Sequence, residues 1–387
     1  MRDRWYDISN DGYHYVAAGL IRERKLELAI DWLQRMREAG IGIESWLYDL
    51  LIYSLCDVGE LDEALSTIKY RLKYEGRDTL PTHGDYDSRE FVSPNVWYHF
   101  LDCASRARHI EGTVFAYNAR VKTRYLNPAG GICQNILICA AQAGDIKLAT
   151  AIFDLLTQRS ANSIQLQHFE TLIEAYVNSG DVKTAITLLA TAQQSGHLPK
   201  KASTRPILAA LGSSQEKAER ALEWLEELRD LNRGIPLAAF NVVIESFVHL
   251  EDMEGAMLTY NTFSTSIVPD FPSSPVPRRG ADTETFNLLL EGCVVVRDKI
   301  RAEFLASEML ALKVVPDAMT YDALVRVCMA CESDMSEAWR YISEAQEGDL
   351  NVRDSTVRQL AVMSARRSQI APNTADSKED TLEQITN

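Results

Sequence analysis

The chain has 387 residues, 46% of them hydrophobic, and its 55 Asp and Glu against 40 Lys and Arg give a formal net charge of −15. This apolar content suffices for a continuous core, and the lack of a long apolar run excludes a membrane-spanning segment. Binding to RNA is driven largely by Lys and Arg that displace counterions from phosphates. The charge therefore counts against general, tight RNA binding and slightly favours a protein partner.

The first residues, MRDRWYD, lead almost directly into a helical pattern. They lack the Arg- and Ser-rich, acid-poor character of an organelle-import leader. The first repeat also begins without the capping element that solenoids usually need. We therefore expect the chain to be an internal piece of a longer protein.

A pattern with a period of about 35 residues runs along the chain. Its clearest copy is Thr283 to Asp317, where two amphipathic helices are joined by a short turn and followed by Val-Pro-Asp. Phe286 and Cys293 mark the buried face of the first helix. Ala302 marks the point where the second helix crosses it, and equivalent alanines recur at Ala29, Ala64, Ala149, Ala185, Ala221, Ala256 and Ala338. Because one hairpin cannot bury its apolar face alone, this period predicts a stack of hairpins.

The period also predicts the organisation of the chain. Repeats are expected at about 10–44, 45–73, 94–129, 130–165, 166–200, 201–236, 237–263, 283–317 and 318–352. Polar insertions with Gly and Pro interrupt them at 74–94 and 264–281. A C-terminal capping helix is predicted at 354–367, which completes a solenoid over 1–367, and a disordered tail at 368–387. Gly59, Gly144 and Gly180 lie at helix–helix turns, where a left-handed residue is needed.

The repeat resembles the pentatricopeptide repeat (PPR) of the divergent fungal or mitochondrial style. The resemblance rests on YDLLIYSLCDVGELDEAL, FETLIEAYVNSGDVKTAI, FNVVIESFV with DMEGAM, and FNLLLEGC with VPD, and it extends over nearly the whole chain. The related tetratricopeptide pattern is not found in this phase. The resemblance implies an all-α, right-handed superhelical α-solenoid of about nine helix-turn-helix repeats.

No catalytic motif stands out. The seven histidines are dispersed, and the sequence has no HExxH, nucleophile elbow or phosphate-binding glycine loop. Cys328 and Cys331 have the spacing of half a zinc site, but no second pair of ligands follows. The cysteines are interpreted as free thiols. We therefore expect a binding protein with no enzymatic activity, cofactor, metal or small-molecule substrate.

Two positions per repeat read one RNA base in the PPR family: the residue after the aromatic of the first helix and the residue before the next repeat. Both can hydrogen-bond the edge of a splayed base. By resemblance, Asn287 with Asp317 and Asn241 with Asp282 are uracil-type pairs, although a solvated polar face is an equal alternative. The other pairs match no standard reader: His14/Glu44, Asp49/Ser93, Tyr98/Ala129, Gln134/Gln165, Glu170/Lys200, Arg205/Pro236 and Asp322/Val352.

Further candidates for RNA contact are one aromatic and four arginines. Trp46 occupies a position that wedges against bases in the family, although packing between repeats is the alternative. Arg22 and Arg106 lie in the last turn of first helices, where a cation can meet a phosphate or complement the helix dipole. Arg278 and Arg279 lie in the second insertion, as phosphate contacts or as solvated loop residues.

Two functions follow from the resemblance and the charge. The first is an organellar RNA-binding protein that acts on mitochondrial transcripts, in their stability, processing or translation, with single-stranded RNA as the partner. The alternative is a protein-interaction solenoid that serves a mitochondrial ribosome or the assembly of a respiratory complex. A positive stripe along the first helices would favour RNA, and an acidic or apolar surface would favour protein.

Overall fold

The structure is a computed structural model that describes residues 9–73, 92–159, 164–230, 235–264, 267–268, 280–331 and 335–370. It divides into two compact units, Met1–Gly180 and Asp181–Asn387. Within the described residues the chain alternates between odd-numbered helices, here called first helices, and even-numbered second helices. The described part of each unit is therefore built from the helical pairs that the period predicts.

The first unit contains nine α-helices in the described residues. They are α1 (Asn10–Arg22), α2 (Leu26–Glu38), α3 (Ser45–Val58), α4 (Leu61–Lys73), α5 (Pro94–Arg106), α6 (Ile110–Ala116), α7 (Gly130–Ala143), α8 (Ile146–Arg159) and α9 (Leu166–Asn178). A π-helical segment, Tyr117–Val121, continues α6.

The described residues of the second unit form ten α-helices and one short parallel strand pair. The helices are α10 (Val182–Gln194), α11 (Lys201–Leu211), α12 (Gln215–Asp230), α13 (Leu237–His249), α14 (Met253–Phe263), α15 (Thr283–Val296), α16 (Lys299–Ala311), α17 (Ala318–Ala330), α18 (Met335–Glu347) and α19 (Asp354–Ile370). β1 (Ile235–Pro236) pairs with β2 (Ile267–Val268), which places the start of the second insertion beside α13.

Alanines and tight turns explain why these helices pair. All eight predicted crossing alanines are at most 1% exposed, so the second helix of a repeat approaches its neighbours closely at that point. The turn between helices takes a left-handed residue: Gly59, Gly144 and Gly180 have φ of 93°, 67° and 92°. Arg24, Arg108, Glu251 and Arg297 adopt the same conformation in repeats without that glycine.

First helices pack side by side within each unit, α3 against α5 and α7 against α9 in the first, and α13 against α15 and α15 against α17 in the second. Their aromatic side chains fill the layer between first and second helices, since Trp97, Phe240 and Phe286 are fully buried. Tyr260 of α14 meets Phe286 of α15 edge to face at 5.8 Å. Each repeat thus completes its core with residues of the next repeat.

The all-α class and the solenoid of helical hairpins are confirmed. One boundary differs: the last helix runs from Asp354 to Ile370, so residues 368–370, predicted as the start of the tail, are helical. Residues 74–91 of the first insertion and 371–387 of the tail lie outside the described residues. Among the helices that the structure describes, none is both long and apolar enough to cross a membrane.

The alanine crossing gives a direct test of this fold. Replacing Ala302, which is 1% exposed on α16, with Trp overpacks the crossing and should cost about 1–3 kcal/mol of unfolding free energy. Thermal unfolding followed by circular dichroism measures this as a lower melting temperature. Ser307→Trp places the same ring at an exposed position of α16 and should leave melting unchanged. Equal melting of the Ala302 variant and the wild type would contradict the assigned crossing.

Candidate nucleic-acid interface

Asn287 and Asp317 are joined by a hydrogen-bond network across two repeats. Asp317 is the N-cap of α17, where its Oδ1 accepts from the backbone N–H of Thr320 at 2.9 Å. Asn287 Nδ2 donates to the same oxygen at 3.1 Å. The Thr320 hydroxyl donates to Asn287 Oδ1 at 2.7 Å, which fixes the amide orientation. The amide keeps its second N–H and the carboxylate keeps Oδ2, so the pair offers one donor and one acceptor to a ligand.

Asn241 and Asp282 repeat this arrangement one repeat earlier. Asp282 caps α15 and accepts from the backbone N–H of Thr285 at 2.9 Å. The Thr285 hydroxyl donates to Asn241 Oδ1 at 2.6 Å, and Asn241 Nδ2 lies 3.5 Å from Asp282 Oδ1. The chain therefore returns from the second insertion in the predicted register. Asn241 is only 7% exposed, so this pair presents less surface than Asn287 and Asp317.

The same two positions also meet in the first unit, with other chemistry. The backbone N–H of Glu44 donates to His14 Nε2 at 3.3 Å, and that of Ser93 donates to Asp49 Oδ1 at 3.4 Å. The backbone N–H of Ala129 donates to the Tyr98 hydroxyl at 3.0 Å. The geometry of the pair is thus common to these repeats. Only the two Asn–Asp pairs combine a free amide donor with a free carboxylate acceptor among the contacts that the described residues make.

The predicted pairing of Asp322 with Val352 is wrong by one residue. The N-cap position of α19 belongs to Arg353, whose Nε lies 3.9 Å from Asp322 Oδ2. The Thr356 hydroxyl donates to Asp322 Oδ1 at 2.7 Å, as Thr320 does to Asn287, while Val352 is buried at 8% exposure. The shift arises because α18 starts one residue later in its repeat than α16 does. The sequence carried this signal, since Tyr321 lies one residue further from Ala338 than Phe286 does from Ala302.

The other candidates belong to the first unit or to the second insertion. Trp46 is 40% exposed, its indole N–H donates to the Glu44 carboxylate, and its ring lies 6.4 Å from that of His14. Arg22 is exposed at the end of α1. Arg106 is exposed and forms an ion pair with Asp102 at 3.0 Å. Arg278 and Arg279 lie outside the described residues.

The charges beside the Asn–Asp pairs are mostly paired. Glu245, four residues after Asn241, meets Lys201 at 2.8 Å, and Glu291, four residues after Asn287, meets Arg326 at 2.7 Å. Burial raises the pKa of the Glu284 carboxyl, and the neighbouring Asp282 raises it further. Two ion pairs, one between α11 and α13 and one between α15 and α17, therefore neutralise part of the described first helices beside the Asn–Asp pairs.

Thr285 and Thr320 were not predicted from the sequence as site residues, although they hold the Asn241 and Asn287 amides in place. Their signal was the capping-box spacing, in which an N-cap Asp precedes a hydroxyl residue by three positions. Thr285 is fully buried and Thr320 is 1% exposed, so they act by positioning the amides. The thiol of Cys331 donates to the Arg297 carbonyl at 3.1 Å, and Cys328 is buried.

Comparison with known proteins gives matches to models of one family and to several solved structures. Family models match at residues 130–263 (pentatricopeptide repeat-containing protein), 280–330 (pentatricopeptide repeat domain) and 13–41 (PPR repeat). A search of curated protein sequences found no match.

Two solved structures illustrate the structural likeness. The PPR10 protein from maize is 15% identical, with a TM-score of 0.38 over 96% of this chain and 58% of its own. Yeast Rmd9p, solved with a 16-nt target RNA, is 12% identical, with a TM-score of 0.44 over 95% of this chain and 77% of its own. The chain thus spans 58% of the length of the maize protein. Since three models of one family together match more than half of the 387 residues, the chain belongs to the pentatricopeptide repeat family.

Proposed function

We propose that this protein binds single-stranded RNA and reads uracil with Asn287 and Asp317. The observation that carries the proposal is the fixed Asn–Asp–Thr network, which leaves one N–H donor and one carboxylate acceptor. Uracil presents a complementary edge, with N3–H as donor and carbonyl oxygens as acceptors. Asn241 and Asp282 form a second, less exposed uracil site. Family membership supports RNA as the ligand.

The role of the protein follows from binding alone, since we propose no catalysis of its own. Membership of the family favours a mitochondrial protein that acts on the stability, processing or translation of transcripts. The net charge of −15 implies that phosphate contacts contribute little, because each requires a Lys or Arg that is not already paired. Recognition then depends on hydrogen bonds to bases more than on charge.

A protein-interaction solenoid is the second candidate. The ion-paired, net acidic first helices favour it, as does the apolar surface of α16, where Ile300 is 82% and Phe304 53% exposed. Such residues contribute more to a protein interface than to a polyanion. Such a solenoid would serve a mitochondrial ribosome or the assembly of a respiratory complex.

Fluorescence anisotropy of labelled oligo(U) across a salt series distinguishes the two candidates. If RNA is the ligand, oligo(U) should bind saturably at low salt. The logarithm of the association constant should then fall with the logarithm of the salt concentration, with a slope of about −0.7 for each phosphate contacted. The ion-paired surface predicts only a few such contacts and hence a shallow slope. No saturable binding of oligo(U) or of a mixed RNA pool at low salt would contradict RNA as the ligand and favour the solenoid that binds protein.

Base reading is tested by Asn287→Ala combined with Asp317→Ala. The double variant should bind oligo(U) more weakly by about 1–3 kcal/mol, the scale of a bidentate base contact, while its affinity for oligo(A) stays the same. Because Asp317 also caps α17, Asp298→Ala serves as the control. Asp298 caps α16, where its Oδ1 accepts from the backbone N–H of Arg301 at 3.0 Å. Its replacement should leave the affinity for both oligonucleotides unchanged. Equal losses on both oligonucleotides would rule out base reading at this pair.

Glu284 predicts a pH dependence of RNA affinity. Its carboxyl lies beside Asp282 and has a raised pKa, so it becomes protonated at a higher pH than an ordinary glutamate. Since the ionised form repels a phosphate, affinity for oligo(U) should rise as pH falls from neutral towards this pKa. Glu284→Gln should bind more tightly at neutral pH and show a smaller rise. Glu303→Gln, at an exposed position of α16, should bind oligo(U) with the wild-type affinity at each pH. Wild-type affinity of the Glu284→Gln variant at each pH would refute the prediction.

A further inference from the structure

The second unit contains an open depression that the base-reading pairs do not use. It has a volume of about 540 Å³ and lies on three successive first helices, α15, α17 and α19. Its apolar lining includes Val294 of α15, Met329 of α17, and Val362 and Met363 of α19. The volume falls within the range of ligand-binding clefts, about 300–1,000 Å³.

The lining favours an apolar group. Val362 is 52% exposed, although it lies among other apolar side chains, and Met329 forms a buried floor at 8% exposure. Covering an exposed valine removes apolar surface from water, which is favourable. Methionine side chains adapt their shape to a ligand and are frequent on surfaces that bind helices. The depression therefore suits one or two aliphatic or aromatic side chains of a partner.

The rim adds positive charge to this apolar surface. Arg326 and Arg358 both line the depression. Arg326 forms an ion pair with Glu291 at 2.7 Å. Arg358 is exposed and has no ion pair among the residues that the structure describes. In a chain with a net charge of −15, Arg358 thus places a positive charge beside an apolar floor. It complements a carboxylate, which a guanidinium binds with two parallel hydrogen bonds.

We propose that this depression docks an acidic amphipathic segment of a partner protein, with apolar side chains on Met329 and Val362 and a carboxylate on Arg358. A helix with apolar residues three or four positions apart fits such a surface. A nucleobase fits it less well because no aromatic ring lines the depression, and stacking on aromatic rings supplies much of the affinity for single strands. The inference is independent of the uracil-reading pairs and would hold if they failed.

The experiment uses a labelled 16-residue peptide with leucine at every third or fourth position and glutamate at the others. The full chain should bind it saturably, and Val362→Asp and Arg358→Glu should each weaken binding at least tenfold. Leu258→Asp, a matched change at a position on α14 that is 57% exposed, should leave binding unchanged. A peptide with lysine in place of glutamate should not bind.

Three results would overturn the proposal: no saturable binding of the glutamate peptide, equal binding by the Val362, Arg358 and Leu258 variants, or displacement of the peptide by oligo(U). In the last case, loss of oligo(U) binding in Val362→Asp would assign the depression to RNA instead. Because Val362 and Arg358 are exposed, their variants should fold, and circular dichroism melting confirms this. The Asn287 and Asp317 double variant should bind the peptide normally, which separates this test from that of base reading.

Discussion

The close crossing of two helices at an alanine is the contact on which eight of the nine predicted repeats depend. At Ala256, Ala302 and Ala338 the side chain is at most 1% exposed, and a larger residue would force the helices apart. The crossing fixes the distance between the first and second helices of a pair. First helices can then pack side by side, with the N-terminus of one beside the first turns of the previous one. The proposed binding pairs are a consequence of this stagger.

Stability and recognition share the same atoms at these pairs. Asp317 caps α17, holds Asn287 and still has an oxygen for a ligand. A capping residue contributes about 1 kcal/mol to helix stability, so the aspartate is retained by folding whether or not a base binds. In the first unit a backbone N–H of Ser93 or Ala129 contacts the equivalent position instead. The geometry persists there without the combination of an amide donor and a carboxylate acceptor.

The charges on the first helices near the Asn–Asp pairs form local ion pairs. Lys201 pairs with Glu245 and Arg326 with Glu291, which neutralises the first helices near the Asn–Asp pairs. Paired groups at a surface contribute little to stability, but they leave few cations free for phosphates. Arg358, which lines the apolar depression, has no ion pair among the residues that the structure describes. Hydrogen bonding and apolar contact thus carry the two proposed interactions.

The sequence by itself determined the repeat period, the helix order and the crossing alanines, because each is written in spacing that a helix of 3.6 residues per turn must obey. The Asn–Asp pairs were predicted from the resemblance to the PPR family and not from that spacing. The tertiary structure decided which positions meet: Thr320 on Asn287, Arg353 rather than Val352 on Asp322, and the depression formed by α15, α17 and α19. It also showed that Glu245 pairs with Lys201 and Glu291 with Arg326. These contacts join side chains about 30–45 residues apart in the sequence. Local periodicity cannot specify such contacts, because one extra residue in a turn shifts every residue that follows it.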